Sequence, residues 1–204
     1  MSDDAAAPED SRALAPEWLA LPEDPNDLAP AVWPASARRD AHGALLIAGM
    51  PAPELAQSYG TPVLVLDEDE VRARARGALA AFGDAAARHG ARARVYYAGK
   101  AFLSTEVARW MVDEGLNIDV CSGGELAVAL AAEVPPERIG YHGNNKRAFE
   151  LERAVEVGVG TIIVDSEIEI ERLAAITERL GRRQAVLIRV NSGVHAETHH
   201  FLAT

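Results

Sequence analysis

A single lysine closes a strand-like run, Val95-Tyr96-Tyr97-Ala98-Gly99-Lys100-Ala101-Phe102. Its ε-amine is the natural nucleophile for a carbonyl cofactor. In an extended strand Tyr96, Ala98 and Lys100 share one face. The Gly99-Lys100 pair does not extend to a phosphate loop, because Arg94 stands where the first glycine is needed and Ala101 where Ser or Thr is needed.

Four further strand-like runs follow, and several of them also end in polar or charged residues. Asp119 sits in Asn117-Ile118-Asp119-Val120-Cys121, and a charge in so short an apolar strand needs a partner. Ser122-Gly123-Gly124-Glu125 then opens a helix, as an ordinary capped turn or as a turn whose glycines let the backbone approach a ligand. His142, in Tyr141-His142-Gly143-Asn144-Asn145-Lys146, could stack on a ring, bind a metal or complete a core hydrogen bond, the last being the commonest outcome. Asp165 and Ser166 read as the cap of the next helix. Arg189, after Val186-Leu187-Ile188, requires an acidic or anionic partner, with Asp119 and a cofactor oxygen as candidates. His195, Glu197, His199 and His200 crowd together, but Ala196 stands where the zinc-protease helix needs Glu, and no metal is expected. Cys121 has no adjacent histidine and reads as an inert thiol.

The elements that position these groups recur roughly every 23 residues. Strands are expected to start near Arg94, Asn117, Ile139, Thr161 and Val186. Between them helical spacing covers Thr105 to Glu114, Gly124 to Glu133, Arg147 to Val157 and Glu167 to Leu180. Such βα alternation means parallel strands with right-handed crossovers. A complete five-strand doubly wound sheet and an unfinished (β/α)8 barrel both fit it. Upstream, Ala44–Ile47 and Pro62–Leu66 read as strands and Pro53–Tyr59 as a short helix. Asp67 reads as the opening of a helix from near Glu70 towards Phe82.

Three regions follow: an acidic Pro/Ala-rich leader at 1–38, expected to be disordered with Trp18 and Trp33 docking on the folded part, a strand and helix segment at 39–66, and the βα array at 67–204. The formal net charge is −11, with nine acidic and three basic side chains in residues 1–40, which argues against nucleic acid as a partner. One cysteine, Cys121, excludes an intrachain disulfide. The acidic N-terminus is no secretory signal and no run is long enough to cross a bilayer. The expectation is a soluble cytoplasmic protein without a membrane partner.

Tyr97-Ala98-Gly99-Lys100-Ala101-Phe102, Asn117 through Leu126 with its Asp119 and Glu125, and His142-Gly143-Asn144-Asn145-Lys146 together resemble diaminopimelate decarboxylase, in its actinobacterial type. Val164-Asp165-Ser166, Arg189 and Phe201-Leu202-Ala203-Thr204 continue the likeness, which covers roughly residues 40–204. The resemblance implies a fold-type III enzyme of the alanine racemase-like class. Such an enzyme pairs a (β/α)8 TIM-type barrel with a β-domain to which the strand at Ala44–Ile47 would belong, and works as a homodimer. It implies pyridoxal 5'-phosphate as cofactor, Lys100 as the residue to which it is attached, and Asp119, Glu125, His142 and Arg189 in the cofactor pocket. The implied reaction removes the D-centre carboxylate of meso-diaminopimelate to give L-lysine. The family pattern continues past the position of Thr204 with a ring-stacking histidine, a glycine-rich phosphate loop and a cysteine given across the dimer. An N-terminal portion ending at Thr204 is therefore expected to be inactive alone and prone to aggregate. Competing readings are a non-catalytic fragment that binds a partner, and another fold-type III amino-acid decarboxylase or racemase. The His142–Lys146 motif argues against the latter.

Overall fold

In the computed structural model, residues 24, 26–30 and 32–190 are described. Trp18 and the histidine-rich stretch at 195–200 lie outside them. The chain divides into two units, Met1–Val65 and Leu66–Thr204.

In the first unit β1 (Arg38–Arg39), β2 (Leu45–Ile47) and β3 (Met50–Pro51) form an antiparallel sheet in chain order, followed by α1 (Ala52–Tyr59). Asp40 makes the β1–β2 turn, its Oδ1 accepting from the backbone N–H groups of His42 (2.8 Å) and Ala44 (2.9 Å). β1 and β3, two residues each, are too short to leave an alternation in the sequence. No strand forms at Pro62–Leu66, contrary to the sequence reading: the segment runs as irregular chain and Leu64 is 93% exposed. Apolar residues supply a face but not a ladder, and among the described residues no strand pairs with this one.

The second unit opens with α2 (Glu68–Ala87), capped by Asp67, whose Oδ1 accepts from the Glu70 N–H. Four βα steps and a fifth strand follow: β4 (Tyr96–Ala98), α3 (Thr105–Asp113), β5 (Asn117–Val120), α4 (Gly123–Ala131), β6 (Ile139–Tyr141), α5 (Ala148–Val157), β7 (Thr161–Val164), α6 (Glu167–Leu180) and β8 (Val186–Ile188). All neighbouring pairs are parallel, and the spatial order β4-β5-β6-β7-β8 is the chain order. A doubly wound sheet reverses its order at a switch point, whereas a barrel adds each strand beside the last. The unit is therefore an α/β segment built on the barrel plan.

Alternation along the strands sorts the two faces. Ile118, Val120, Ile162 and Val164 are buried beneath the helices with Val107, Met111, Leu126, Leu151, Val155 and Leu173. Each Ile or Val so buried contributes about 2 kcal/mol, which ties the helices to one side of the sheet. Asn117, Asp119, Thr161 and Ile163 point the other way and are half-buried. Three helices start on a serine that accepts from the N–H three residues on: Ser104 from Val107, Ser122 from Glu125 and Ser166 from Glu169.

The turn into β7 is tight. Gly160 donates to the Pro136 carbonyl (2.9 Å), and a Cβ on it would overlap the Glu137 carbonyl. Gly160→Ala is expected to cost about 2 kcal/mol, the scale of overpacking against backbone that cannot yield. A urea midpoint equal to that of the native chain would contradict the close approach.

Candidate active site

The chemistry-bearing side chains cluster at the C-terminal ends of the parallel strands, one rim of the sheet. The register aligns Ala98, Asp119, Gly140 and Thr161 across four strands. The ladder extends past the strand ends, with the His142 N–H donating to the Val120 carbonyl (2.9 Å) and the Arg189 N–H to the Val164 carbonyl (3.0 Å). His142, Asp165 and Arg189 thus stand directly beyond β6, β7 and β8. On the inward face Tyr96, Asp119, Gly140, His142, Thr161, Ile163 and Leu187 line a cleft of about 250 Å3. Gly140 keeps it open: a Cβ there would lie 3.1 Å from the Tyr96 ring and 3.6 Å from Asp119 Oδ1.

Lys100 does not continue the strand face with Tyr96 and Ala98, as the sequence reading has it. β4 ends at Ala98, and Gly99–Ala101 forms a 3-10 turn closed by the Tyr97 hydroxyl, which donates to the Phe102 carbonyl (2.6 Å). The turn leaves the Lys100 side chain exposed, close enough to Asp119 and Cys121 for its ammonium to favour their ionised forms.

Asp119 is half-buried, and its partner is His142, whose Nδ1 lies 2.8 Å from Oδ2. That is hydrogen-bonding distance, although the approach lies off the ideal ring direction. Burial pushes the Asp119 carboxyl above its ordinary value, His142 and Lys100 pull it back, and Glu125 adds to the rise. A raised folded value means that the folded state keeps a proton the unfolded chain has already released. Stability contributed here is present below the ordinary carboxylate value and is lost as pH rises through the folded value. Asp119→Asn is expected to remove that loss, so that stability rises more steeply with pH between the ordinary carboxylate value and the folded one. Parallel curves for the two proteins in urea titrations would count against the raised value.

Arg189 does not pair with Asp119. Its Nη1 lies 3.0 Å from Asp165 Oδ1, because Arg189 and Asp165 follow adjacent strands while Asp119 lies three strands away. Asp165, read as a helix cap, is instead this acidic partner, and Ser166 alone caps α6. Glu125, expected in the cofactor pocket, directs both oxygens at Cys121, accepting from its backbone N–H (2.8 Å) and facing its Sγ (3.3 Å). Burial, then Glu125, pushes the Cys121 thiol up, so it stays protonated.

Two residues that sequence reasoning did not single out complete the rim. Lys146 is buried, and its Nζ donates to the carbonyls of Gly143 and Ile163 (2.8 Å to the latter) and pairs with Glu169 (3.0 Å). Glu169, also buried, accepts from the Asp165 backbone N–H with its other oxygen (2.8 Å). The signal for Glu169 was present in Ser166-Glu167-Ile168-Glu169, a Ser-x-x-Glu capping pattern that recurs at Ser122–Glu125. Nothing in the polar run around Lys146 announces a buried ammonium. Lys100 and Lys146 are the two lysines of the chain, one exposed and one sealed. Among the described residues no cluster of metal-ligating side chains occurs and no helix is long and apolar enough to cross a membrane.

Residues 68–204 match the family described as pyridoxal-dependent decarboxylase, pyridoxal binding domain. Diaminopimelate decarboxylase of Mycobacterium tuberculosis is 56% identical over 177 residues, 87% of this chain and 38% of that protein. The crystal structure of diaminopimelate decarboxylase from M. jannaschii superposes with a TM-score of 0.73 at 30% identity, covering 81% of this chain and 38% of that one. Its co-complex with L-lysine gives 0.72 at 29%, covering 79% and 37%. The chain thus spans about 38% of the length of the relatives it matches. By its sequence match over residues 68–204 the chain belongs to the pyridoxal-dependent decarboxylases.

Proposed function

We propose that this chain carries the cofactor-attaching part of a diaminopimelate decarboxylase, a lyase that converts meso-diaminopimelate to L-lysine and carbon dioxide. The observation that carries the reading is the exposed Lys100 amine beside the Asp119–His142 pair on one strand-end rim. The names of the relatives supply the substrate, and the complex of one of them with L-lysine agrees with the product.

The residues present fit pyridoxal 5'-phosphate. The cleft that Gly140 keeps open is lined by Tyr96, Ile163 and Leu187 beside Asp119 and His142, a largely apolar lining suited to an aromatic ring. His142 stands at its edge, and its Nδ1 makes no well-aligned hydrogen bond among the described residues. When bound, the cofactor would supply an electron sink for the bond to the departing carboxylate. Lys100 would hold it covalently through Nζ, with the half-buried Asp119 steadying positive charge at that amine. His142, held against Asp119, would flank the ring. Arg189, balanced by Asp165, would present a guanidinium to an anionic oxygen at the rim. Glu125 would act at one remove by fixing the turn at Cys121. A homodimer in a reducing cytoplasm accords with the family reading.

The test is borohydride trapping. The chain is mixed with pyridoxal 5'-phosphate, reduced, digested and mapped, and lysine formation from meso-diaminopimelate is followed separately. Label on Lys100 is the expected result for this chain, with lysine formed only where it is joined to the rest of the family pattern. Label confined to the amino terminus would overturn the assignment of the attachment site. Racemised substrate without lysine would move the protein to a different activity of the same fold type.

A further inference from the structure

We propose that Lys146 and Glu169 are positioning residues that set the geometry of the rim, placing His142 against Asp119 and Asp165 against Arg189. The inference goes beyond the decarboxylase reading and rests on it only for the ligand that this rim receives.

The Lys146 side chain has no exposure and that of Glu169 has 6%, so each needs the other. All three ammonium protons have an acceptor: the Gly143 carbonyl, the Ile163 carbonyl and Glu169 Oε1. Each acceptor governs a rim group. Gly143 follows His142 directly, so fixing its carbonyl anchors the chain one residue beyond the imidazole. Ile163 lies in β7 on the inward face beside the cleft. Glu169 holds the Asp165 N–H, and Asp165 holds Arg189. One buried ammonium thereby joins the loop after β6 to the turn after β7 and, through it, to the residue after β8. A packing role alone would be served by an apolar side chain of the same length, whereas these contacts end on the backbone flanking the two charged pairs of the rim.

The test uses the full chain and the double variant K146M/E169Q. Methionine keeps the volume of the lysine stem, and glutamine keeps an acceptor for the Asp165 N–H, so both charges leave together and the sheet keeps its packing. Amide hydrogen exchange is read without cofactor. Exchange at Gly143, Asn144 and Asp165 is expected to rise about tenfold or more, the scale of a lost charge-assisted hydrogen bond, while Ile118 and Ile162 keep their native protection. Unchanged exchange at the rim would overturn the proposal. An even rise across the whole sheet would overturn it too, because it would show only lost stability. A second reading measures the affinity for pyridoxal 5'-phosphate and the absorption band of the bound form, with an expected weakening of about tenfold and a shifted band. Local loosening with native affinity and an unshifted band would overturn positioning towards this ligand and leave the decarboxylase reading intact. A native chain that never takes the cofactor at Lys100 would sink the decarboxylase reading, and the exchange pattern would still decide the role of the pair.

Discussion

Lys100→Ala is expected to abolish the borohydride-fixed cofactor label and, measured in a protein that carries the whole family pattern, to lower lysine formation at least about a thousandfold, the scale on which loss of a covalent nucleophile acts. The side chain is exposed and sits in a turn closed by Tyr97 and Phe102, so its removal should leave the fold intact. The other lysine cannot substitute, because Lys146 is buried with every proton committed. Lys100→Arg separates charge from nucleophilicity: it keeps a cation near Asp119 but offers no amine, and should be as inactive as the alanine variant. Residual label on either variant, or activity in the arginine variant near that of the native chain, would show that the attachment site lies elsewhere.

The largest expected effect on stability comes from breaking the Lys146–Glu169 pair on one side only. Glu169→Leu leaves an ammonium without its carboxylate in a fully buried position and exposes the Asp165 N–H to no acceptor. The expected cost is about 4 kcal/mol, a large part of the roughly 5–15 kcal/mol that holds a domain together. Removing both charges costs far less, since a buried pair barely outweighs its own desolvation. The asymmetry is the diagnostic. Urea unfolding should rank the native chain and K146M/E169Q close together and Glu169→Leu well below, with Lys146 becoming reactive to amine reagents only in the last. Equal losses for single and double variants would mean that the two groups act independently.

The βα array was legible because each unit repeats one local design. The expected starts at Asn117, Ile139, Thr161 and Val186 coincide with β5 to β8, since apolar strands bounded by serine-capped helices leave both a period and a boundary in the sequence. Whether the array was open or barrel-like was not legible from the pattern, because strand order depends on how units pack rather than on what each contains. The resemblance supplied that answer and the sheet order agrees with it. The site was legible as a set of strand-end residues but not as pairs. Asp119 and His142 meet because β5 and β6 are neighbours, and Arg189 turns to Asp165 for the same reason. Pairing across a sheet is a property of register, and no single strand encodes it. Pro62–Leu66 shows the converse, a strand-like sequence that forms no strand among the described residues for want of a partner.

The placement of the two lysines also bears on chemical selectivity. Twenty cationic side chains occur in the sequence, and all but Lys100 and Lys146 are arginines, whose guanidinium groups do not condense with aldehydes at neutral pH. With Lys146 sealed, a reactive aldehyde meets one ε-amine and the terminal amine. An abundant aldehyde would therefore not be diluted over a surface of competing lysines, and side products would be few. Over these 204 residues, discrimination against stray adducts thus lies partly in amino-acid composition, before the pocket recognises anything.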